Sequence, residues 1–190
     1  MNTAILQAIY IVPSRGQAPQ SIAAVRAVPG KGLEGDRYYL GRGSFSRWPG
    51  ARRAASFIEG EVVEAVRREF GIDLGDGRHR RNLVTHGIPL AELQGRTFRI
   101  GTAVFRGVGP CAPCRYLERL AGPGVFDALK GRGGLRAEIV EAGVLHVGDV
   151  IELMPGNVLR QGGFGGRPTR TELSQNGSVR LDRNASPQAR

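Results

Sequence analysis

The sequence predicts a mainly β domain of the barrel or sandwich type with a few helices. Short apolar segments rich in β-branched residues recur between residues 4 and 153, and most are bounded by glycine, of which the chain has 29. Many short strands joined by tight turns are typical of barrels and sandwiches. Hydrophobic residues make up 41% of the 190 residues, which is enough for one buried core.

The strands are predicted in order from period-two patterns and their boundaries. Residues 4–12 are almost wholly apolar, which favours a strand buried on both faces. A second strand over 21–28 ends at Pro29-Gly30. Further strands are predicted at 97–100, 103–108, 135–140, 144–147 and 150–153, with 141–143 as a hairpin turn between two of them.

One clear helix is predicted where apolar residues recur at helical spacing, at Ile58, Val62, Val63, Val66 and Phe70. Ser56 suits its N-cap, and Gly71 suits the left-handed position that ends it. A shorter helix is predicted from Pro113 to about residue 120, and a third over 125–130.

The formal charge of +10 is unevenly distributed and almost entirely due to arginine. Two of the 27 basic residues are lysines, and this bias toward arginine weakens charge as evidence of function. Six arginines and only two acidic residues follow Leu159, in a segment rich in glycine and serine. We therefore predict a domain over 1–159 and a basic, disordered tail over 160–190.

No apolar run is long enough for a membrane helix, and the N-terminus lacks the features of a secretory signal, so a cytoplasmic protein without a membrane partner is expected.

The motif Cys111-Ala112-Pro113-Cys114 is the first candidate site. Pro113 suits the first turn of a helix, which would place Cys114 within that turn and next to Arg115. Such a position favours a thiolate, which attacks electrophiles, carries sulfur or binds a metal. The alternatives are two buried, unreactive cysteines, a thiol redox pair, or a zinc site, which needs about two more ligands nearby.

Two charged segments are further candidates. In Gly32-Leu33-Glu34-Gly35-Asp36-Arg37, the glycines let the backbone approach a ligand, and the arginine is able to bind phosphate or the aspartate. In Arg78-His79-Arg80-Arg81-Asn82, a basic cluster precedes a short strand, and the asparagine is able to hydrogen-bond a heterocycle. Taken alone, each segment is equally typical of a solvated loop.

The order and residue pattern of these segments resemble the MOSC family, the relatives of the C-terminal domain of molybdenum cofactor sulfurase. The resemblance spans residues 4–153 and leaves out the tail. It is most specific at Arg81-Asn82-Leu83-Val84-Thr85 and at Pro113-Cys114-Arg115-Tyr116-Leu117, which fits the family pattern P-C-x-x-L.

This resemblance implies a barrel-like β fold with two or three packed helices. It also implies either molybdenum-cofactor binding through a cysteine, as in relatives that reduce N-hydroxylated compounds, or sulfur carried on that cysteine. Cys114 is the implied ligand of molybdenum or sulfur, and Cys111 is an accessory thiol. The implied cofactor-binding residues are Glu34, Asp36, Arg37, Arg80, Arg81, Asn82 and Arg115.

The implied partners are the pterin cofactor, a small N-hydroxylated substrate, and a sulfurtransferase or an electron-donating reductase. Pyridoxal phosphate, which fused sulfurase relatives bind, is not expected here, because neither Lys31 nor Lys130 lies in a convincing setting for a Schiff base. Arginine-driven nucleic-acid binding is the alternative function. It is disfavoured because aromatic residues are only 6% of the chain and are not interleaved with arginine.

Overall fold

A computed structural model describes residues 3–42 and 54–155. Within them the chain is mainly β, as predicted, with eleven strands and three α-helices. The strands are β1 (Ile5–Ile11), β2 (Gln20–Ile22), β3 (Ala24–Val28), β4 (Gly32–Leu33), β5 (Ala55–Glu59), β6 (Leu83–His86), β7 (Thr97–Ile100), β8 (Ala103–Pro110), β9 (Leu135–Glu141), β10 (Gly143–His146) and β11 (Ile151–Leu153). The helices are α1 (Gly60–Phe70), α2 (Arg115–Ala121) and α3 (Val125–Ala128). The predicted tail lies outside the described residues.

Eight strands form one curved sheet in the order β11-β7-β8-β9-β5-β6-β1-β2, and the other three form a small sheet in the order β10-β3-β4. In the large sheet only β5 and β6 are parallel, because α1 carries the chain back between them. An isolated antiparallel bridge joins Ile5 to Val150 just before β11. This bridge draws the two ends of the strand order toward each other, so the sheet is barrel-like without being closed.

The large sheet is covered by apolar side chains on both faces. Alternation along β5 places Phe57 on one face and Ile58 on the other. Phe57 meets Phe98 and Phe105 edge-on, with ring centroids 5.6 Å apart in both pairs. Ile58 instead packs with the helices, where Val66 of α1 is fully buried. The helices are therefore fixed on the outer face of the sheet, and α2 among them carries a cysteine at its start.

Two predicted strand features are wrong. Residues 21–28 form two strands in different sheets, since β2 pairs with β1 and β3 pairs with β10. The segment 141–143 is not a hairpin turn, because β9 pairs with β8 while β10 crosses to β3. The physical reason lies at Gly143, where a Cβ would collide with the backbone of Thr102 and Ala103. The chain changes sheets at this close crossing.

The first two helices begin later than predicted, whereas α3 begins at Val125 as predicted and ends at Ala128. Ile58 lies in β5 and Ser56 is not an N-cap, since residues 55–59 are held by β9 and β6 on either side. The prediction for Gly71 is confirmed, as it ends α1 in the left-handed region with φ of 68°. Helix α2 begins at Arg115 with Cys114 as its N-cap rather than inside its first turn.

Candidate functional site

A pocket of about 330 Å³ lies beside the start of α2. Six separate parts of the chain meet there: the loop after β1, residues 37–38, the start of β5, residues 80–82, residues 111–120, and Arg136 of β9. Six of the predicted site residues line it, namely Arg37, Arg80, Arg81, Asn82, Cys111 and Cys114. Glu34, Asp36 and Arg115 are not among its lining residues. The fold thus brings the cysteine motif and the basic cluster, 29 residues apart in the chain, into one cavity.

The two cysteines differ in exposure and in how they are held. Cys114 is exposed, and its Sγ accepts a hydrogen bond from the backbone N–H of Leu117 at 3.4 Å. Cys111 is half-buried, and its backbone N–H donates to the carbonyl of Gly134 at 2.7 Å. The segment is therefore anchored through the backbone of Cys111, while the sulfur of Cys114 is accessible to a ligand.

Arg81 ties the basic cluster to the cysteine segment. Its side chain donates from Nε to the carbonyl of Gly133 at 2.7 Å, from Nη1 to that of His79 at 3.0 Å, and from Nη2 to that of Cys111 at 2.8 Å. The residue is only 6% exposed. Three of its five N–H donors are thus engaged by carbonyls, and its main contribution is to hold the pocket wall together.

Gly133 is a contributor to the site that the sequence analysis missed. A Cβ at this position would lie 2.5 Å from the carbonyl oxygen of Cys111 and 3.0 Å from Cδ of Pro113. The adjacent Gly134 has a φ of 99°, in the region that favours glycine. The pair Gly133-Gly134 was the available signal, because consecutive glycines mark a turn or loop, and glycine lets the backbone approach a neighbour closely.

His79 supports the same wall from within the protein. It is 1% exposed, and its Nδ1 accepts a hydrogen bond from the backbone N–H of Arg81 at 3.0 Å. Burial, assisted by the charge of Arg81, lowers the pKa of His79 from 6.5 to about 3. The imidazole is consequently neutral near pH 7, with its proton on Nε2.

The side chain of Asn82 links two strands and a loop, and its donors are not free to bind a ligand. Its Nδ2 donates to Oδ1 of Asp36 at 3.0 Å and to the carbonyl of Tyr10 at 3.2 Å. Its Oδ1 accepts from the hydroxyl of Ser56 at 2.8 Å. Both amide donors are therefore already used, and Asn82 fixes the buried carboxylate of Asp36 behind the pocket.

Arg37 and Arg80 form the half-buried, positively charged part of the pocket. The guanidinium of Arg37 lies 3.8 Å from Oδ1 of Asp36 and 5.0 Å from the ring centroid of Tyr38. Burial, followed by the nearby charge of Arg37, lowers the pKa of Arg80. Arg80 also has a φ of 61°, which is strained for a residue with a side chain. Strain of this kind is concentrated at functional sites.

Arg15, Tyr116 and Arg136 also line the pocket, and the sequence analysis missed them as site residues. Arg15 and Arg136 are exposed, in contrast to the half-buried pair of Arg37 and Arg80. Isolated arginines on separate strands and loops carry no local signal, since only the fold brings them to one cavity.

The remaining predicted residues lie outside this cavity. Arg115 is 73% exposed, pairs with Glu118 at 2.8 Å and lies over the ring of Phe126. Glu34 and both lysines, Lys31 and Lys130, are exposed. No lysine is among the residues that line the cavity.

Two negative findings apply to residues 3–42 and 54–155. No group of three or more histidine, cysteine, aspartate or glutamate side chains comes together as a metal site in this part of the chain. None of the helices described is both long and apolar enough to cross a membrane.

Comparison with known proteins agrees with this fold. The sequence model of the MOSC domain matches residues 45–152, so the chain belongs to the MOSC domain family. This family is associated with molybdenum-cofactor sulfurase-like function. No curated protein matched the chain.

Solved structures show the same fold at low sequence identity. The YuaD protein from Bacillus subtilis has a TM-score of 0.67 and 18% identity, over 80% of this chain and 96% of that one. YiiM from Geobacillus stearothermophilus has a TM-score of 0.62 and 17% identity, over 80% and 75%. YiiM from Escherichia coli has a TM-score of 0.57 and 19% identity, over 80% and 71%.

Proposed function

We propose that this protein binds the molybdenum cofactor, or carries sulfur destined for it, with Cys114 as the functional thiol. The observation that carries this proposal is the meeting of an accessible cysteine and a cluster of arginines in one pocket. A pocket of this composition suits a ligand that has an anionic group at one end and a centre that accepts thiolate at the other.

Arg37 and Arg80 are the proposed phosphate-binding residues. They are like charges held close together and partly buried, and the single carboxylate of Asp36 beside Arg37 only partly offsets their repulsion when no ligand is present. A phosphate dianion between them would relieve this repulsion and accept charge-assisted hydrogen bonds. The pterin of the molybdenum cofactor bears such a phosphate, so the donor set fits the group.

Cys114 is the proposed ligand of molybdenum or the carrier of a persulfide. Thiolate is a soft ligand suited to this kind of metal, and the exposed Sγ is able to reach a ligand in the pocket. When bound, the molybdenum centre would supply two-electron redox chemistry, such as the reduction of N-hydroxylated compounds. In the sulfur-carrying alternative, a sulfurtransferase delivers the sulfur. In the reductase alternative, an electron-donating protein completes the cycle.

Arg81 and Asn82 are proposed as positioning residues rather than direct ligands. Arg81 fixes the backbone of Cys111, and Asn82 fixes Asp36 beside Arg37. Each therefore sets the separation between the thiol end and the phosphate end of the pocket. Glu34 and Arg115 have no assigned contact with the ligand in this proposal.

The test is purification of the full chain from a host that makes the cofactor, followed by elemental analysis, pterin fluorescence and persulfide labelling. Cys114→Ser is expected to lose molybdenum or persulfide, whichever the parent holds. Cys111→Ser is the matched control and is expected to have a milder effect. Equal molybdenum and equal persulfide in the parent and in Cys114→Ser would refute the proposal.

A further inference from the structure

We propose that the pocket contains a second anion subsite, formed by Arg15 and Arg136, that binds a small anionic sulfane-sulfur donor of the thiosulfate class and transfers its sulfur to Cys114. This inference rests on the sulfur-carrying form of the proposed function. It adds the source of the sulfur and the residues that recognise that source.

Both arginines are tethered to the chain segments that carry the cysteines. Nε of Arg15 lies 3.3 Å from the hydroxyl of Tyr116, and its guanidinium carbon lies 5.4 Å from that ring centroid. Tyr116 follows Cys114 by two residues. Nε of Arg136 donates to the carbonyl of Pro110 at 3.1 Å, directly before Cys111. The two guanidiniums are therefore held at opposite ends of the cysteine motif and line the same pocket as Cys114.

The charge of the pocket exceeds what one phosphate would balance. Five arginines line the cavity, and no acidic side chain is among its lining residues in the described part of the chain. Arg81 is engaged by carbonyls, and Arg37 with Arg80 suffices for a phosphate dianion. Arg15 and Arg136 remain as exposed cations without an assigned anion. They fit a second, smaller anionic ligand that reaches the thiol from solvent.

Thiosulfate suits this arrangement because it is a dianion whose outer sulfur is electrophilic toward a thiolate. The Cys114 thiolate attacks that sulfur, a new S–S bond forms on Cys114, and the S–S bond of thiosulfate breaks. Sulfite leaves with the electron pair of the broken bond, so the total charge of −3 is unchanged and no oxidant or reductant is needed. Guanidiniums next to the leaving sulfite would stabilise the charge that develops there.

The experiment uses the full chain and thiosulfate itself. Intact mass measurement is expected to show a gain of one sulfur atom in the parent and no gain in Cys114→Ser. With cyanide as the sulfur acceptor, thiocyanate formation is expected to be catalytic. The double variant Arg15→Gln/Arg136→Gln is expected to react about tenfold more slowly or worse at low thiosulfate, since two charge-assisted contacts are lost.

Arg119→Gln is the matched control. Arg119 lies over the same Tyr116 ring at 5.5 Å but does not line the pocket, so this variant is expected to react like the parent. Alkylation by the neutral reagent iodoacetamide, measured on each protein, reports whether Cys114 is still accessible. The double variant is expected to be alkylated at the parent's rate, which would assign its slower thiosulfate reaction to recognition of the anion.

Two outcomes would overturn the inference. One is a parent that reacts with iodoacetamide at Cys114 but gains no sulfur from thiosulfate. The other is a double variant that reacts with thiosulfate as fast as Arg119→Gln. Molybdenum and pterin are measured on the same preparations. A parent that holds both but gains no sulfur refutes this inference alone, whereas a parent that gains sulfur but holds neither refutes the cofactor-binding form of the proposed function alone.

Discussion

His79 is expected to make the stability of this protein depend on pH in the range where few other groups titrate. Its pKa is about 3 in the folded protein and close to 6.5 in the unfolded chain. As pH falls below 6.5, His79 takes up a proton in the unfolded state but stays neutral in the folded state. The free energy of unfolding therefore declines. The loss continues until pH reaches about 3 and then stops. Above pH 7 the effect is absent.

The size of the loss follows from the two pKa values. Between pH 8 and pH 5 the free energy of unfolding is expected to fall by about 2 kcal/mol from His79 alone. Hydrogen bonds from Arg132 and Arg115 lower the pKa values of Glu69 and Glu118 respectively, so these carboxylates stay ionised above pH 5. These two carboxylates therefore contribute little to the pH dependence between pH 8 and pH 5.

Urea unfolding at several pH values between 8 and 5, on the parent and on His79→Asn, measures this effect. The Oδ1 of asparagine is able to replace Nδ1 as acceptor for the Arg81 N–H, but the side chain does not titrate. His79→Asn is expected to be less stable than the parent at pH 8 and to lose about 2 kcal/mol less on acidification. His146→Asn, at a largely exposed histidine, is the control for the effect of a histidine-to-asparagine change as such.

A His79→Asn variant that loses stability on acidification as steeply as the parent would refute the reasoning. The pH dependence of His79 also concerns the candidate site, because His79 accepts a hydrogen bond from the backbone N–H of Arg81. Local opening of this wall exposes His79, which then takes up a proton below pH 6.5, so opening becomes more frequent on acidification. Alkylation of Cys111 by iodoacetamide is therefore expected to be slower at pH 7 than at pH 5, after correction for thiol ionisation measured on the unfolded chain.

Three further predictions concern the wall of the pocket. Arg81→Lys is expected to lower the free energy of unfolding, measured by urea denaturation, by about 2–4 kcal/mol. The reason is that a lysine ammonium cannot reproduce the planar guanidinium that hydrogen-bonds three carbonyls. Gly133→Ala is expected to lower the melting temperature and the pterin content, since its Cβ would collide with the Cys111 carbonyl, whereas Gly109→Ala, with open space around it, is the control. Asn82→Ala is expected to cost about 2–3 kcal/mol by the same unfolding assay through its lost hydrogen bonds, and an unchanged midpoint would contradict this.

The strands of the second half of the domain were predicted to within about two residues because their patterns are local. Residues 97–100 alternate and are bounded by glycine, and they form β7 as predicted. Segment 55–59 shows why pattern alone fails elsewhere. Its apolar residues continue into α1 at helical spacing, but its backbone is held by β6 and β9. Those pairings are made by segments far away in the chain, so no local pattern predicts them.

The candidate site was predicted in its residue types and only partly in their roles. Local motifs identified Cys114, Arg37 and the cluster around Arg81, and the fold brings these into one cavity. Arg15 and Arg136 have no motif around them, so their presence there was not predictable. The roles of Arg81 and Asn82 depend on which carbonyls and side chains surround them, which is likewise a property of the folded chain.

The sequence by itself determined the fold class, the positions of most strands, the family resemblance and the reactive residue types. These follow from periodicity, glycine placement and short motifs, which act over a few residues. Only the tertiary structure decided that β10 pairs with β3 in another sheet and not with β9, and that Cys114 is the N-cap of α2. It also decided that Arg81 is buried and holds the wall of the pocket together. The reason is that strand pairing, burial and hydrogen-bond partners depend on contacts between distant segments, and such contacts exist only once the chain has folded.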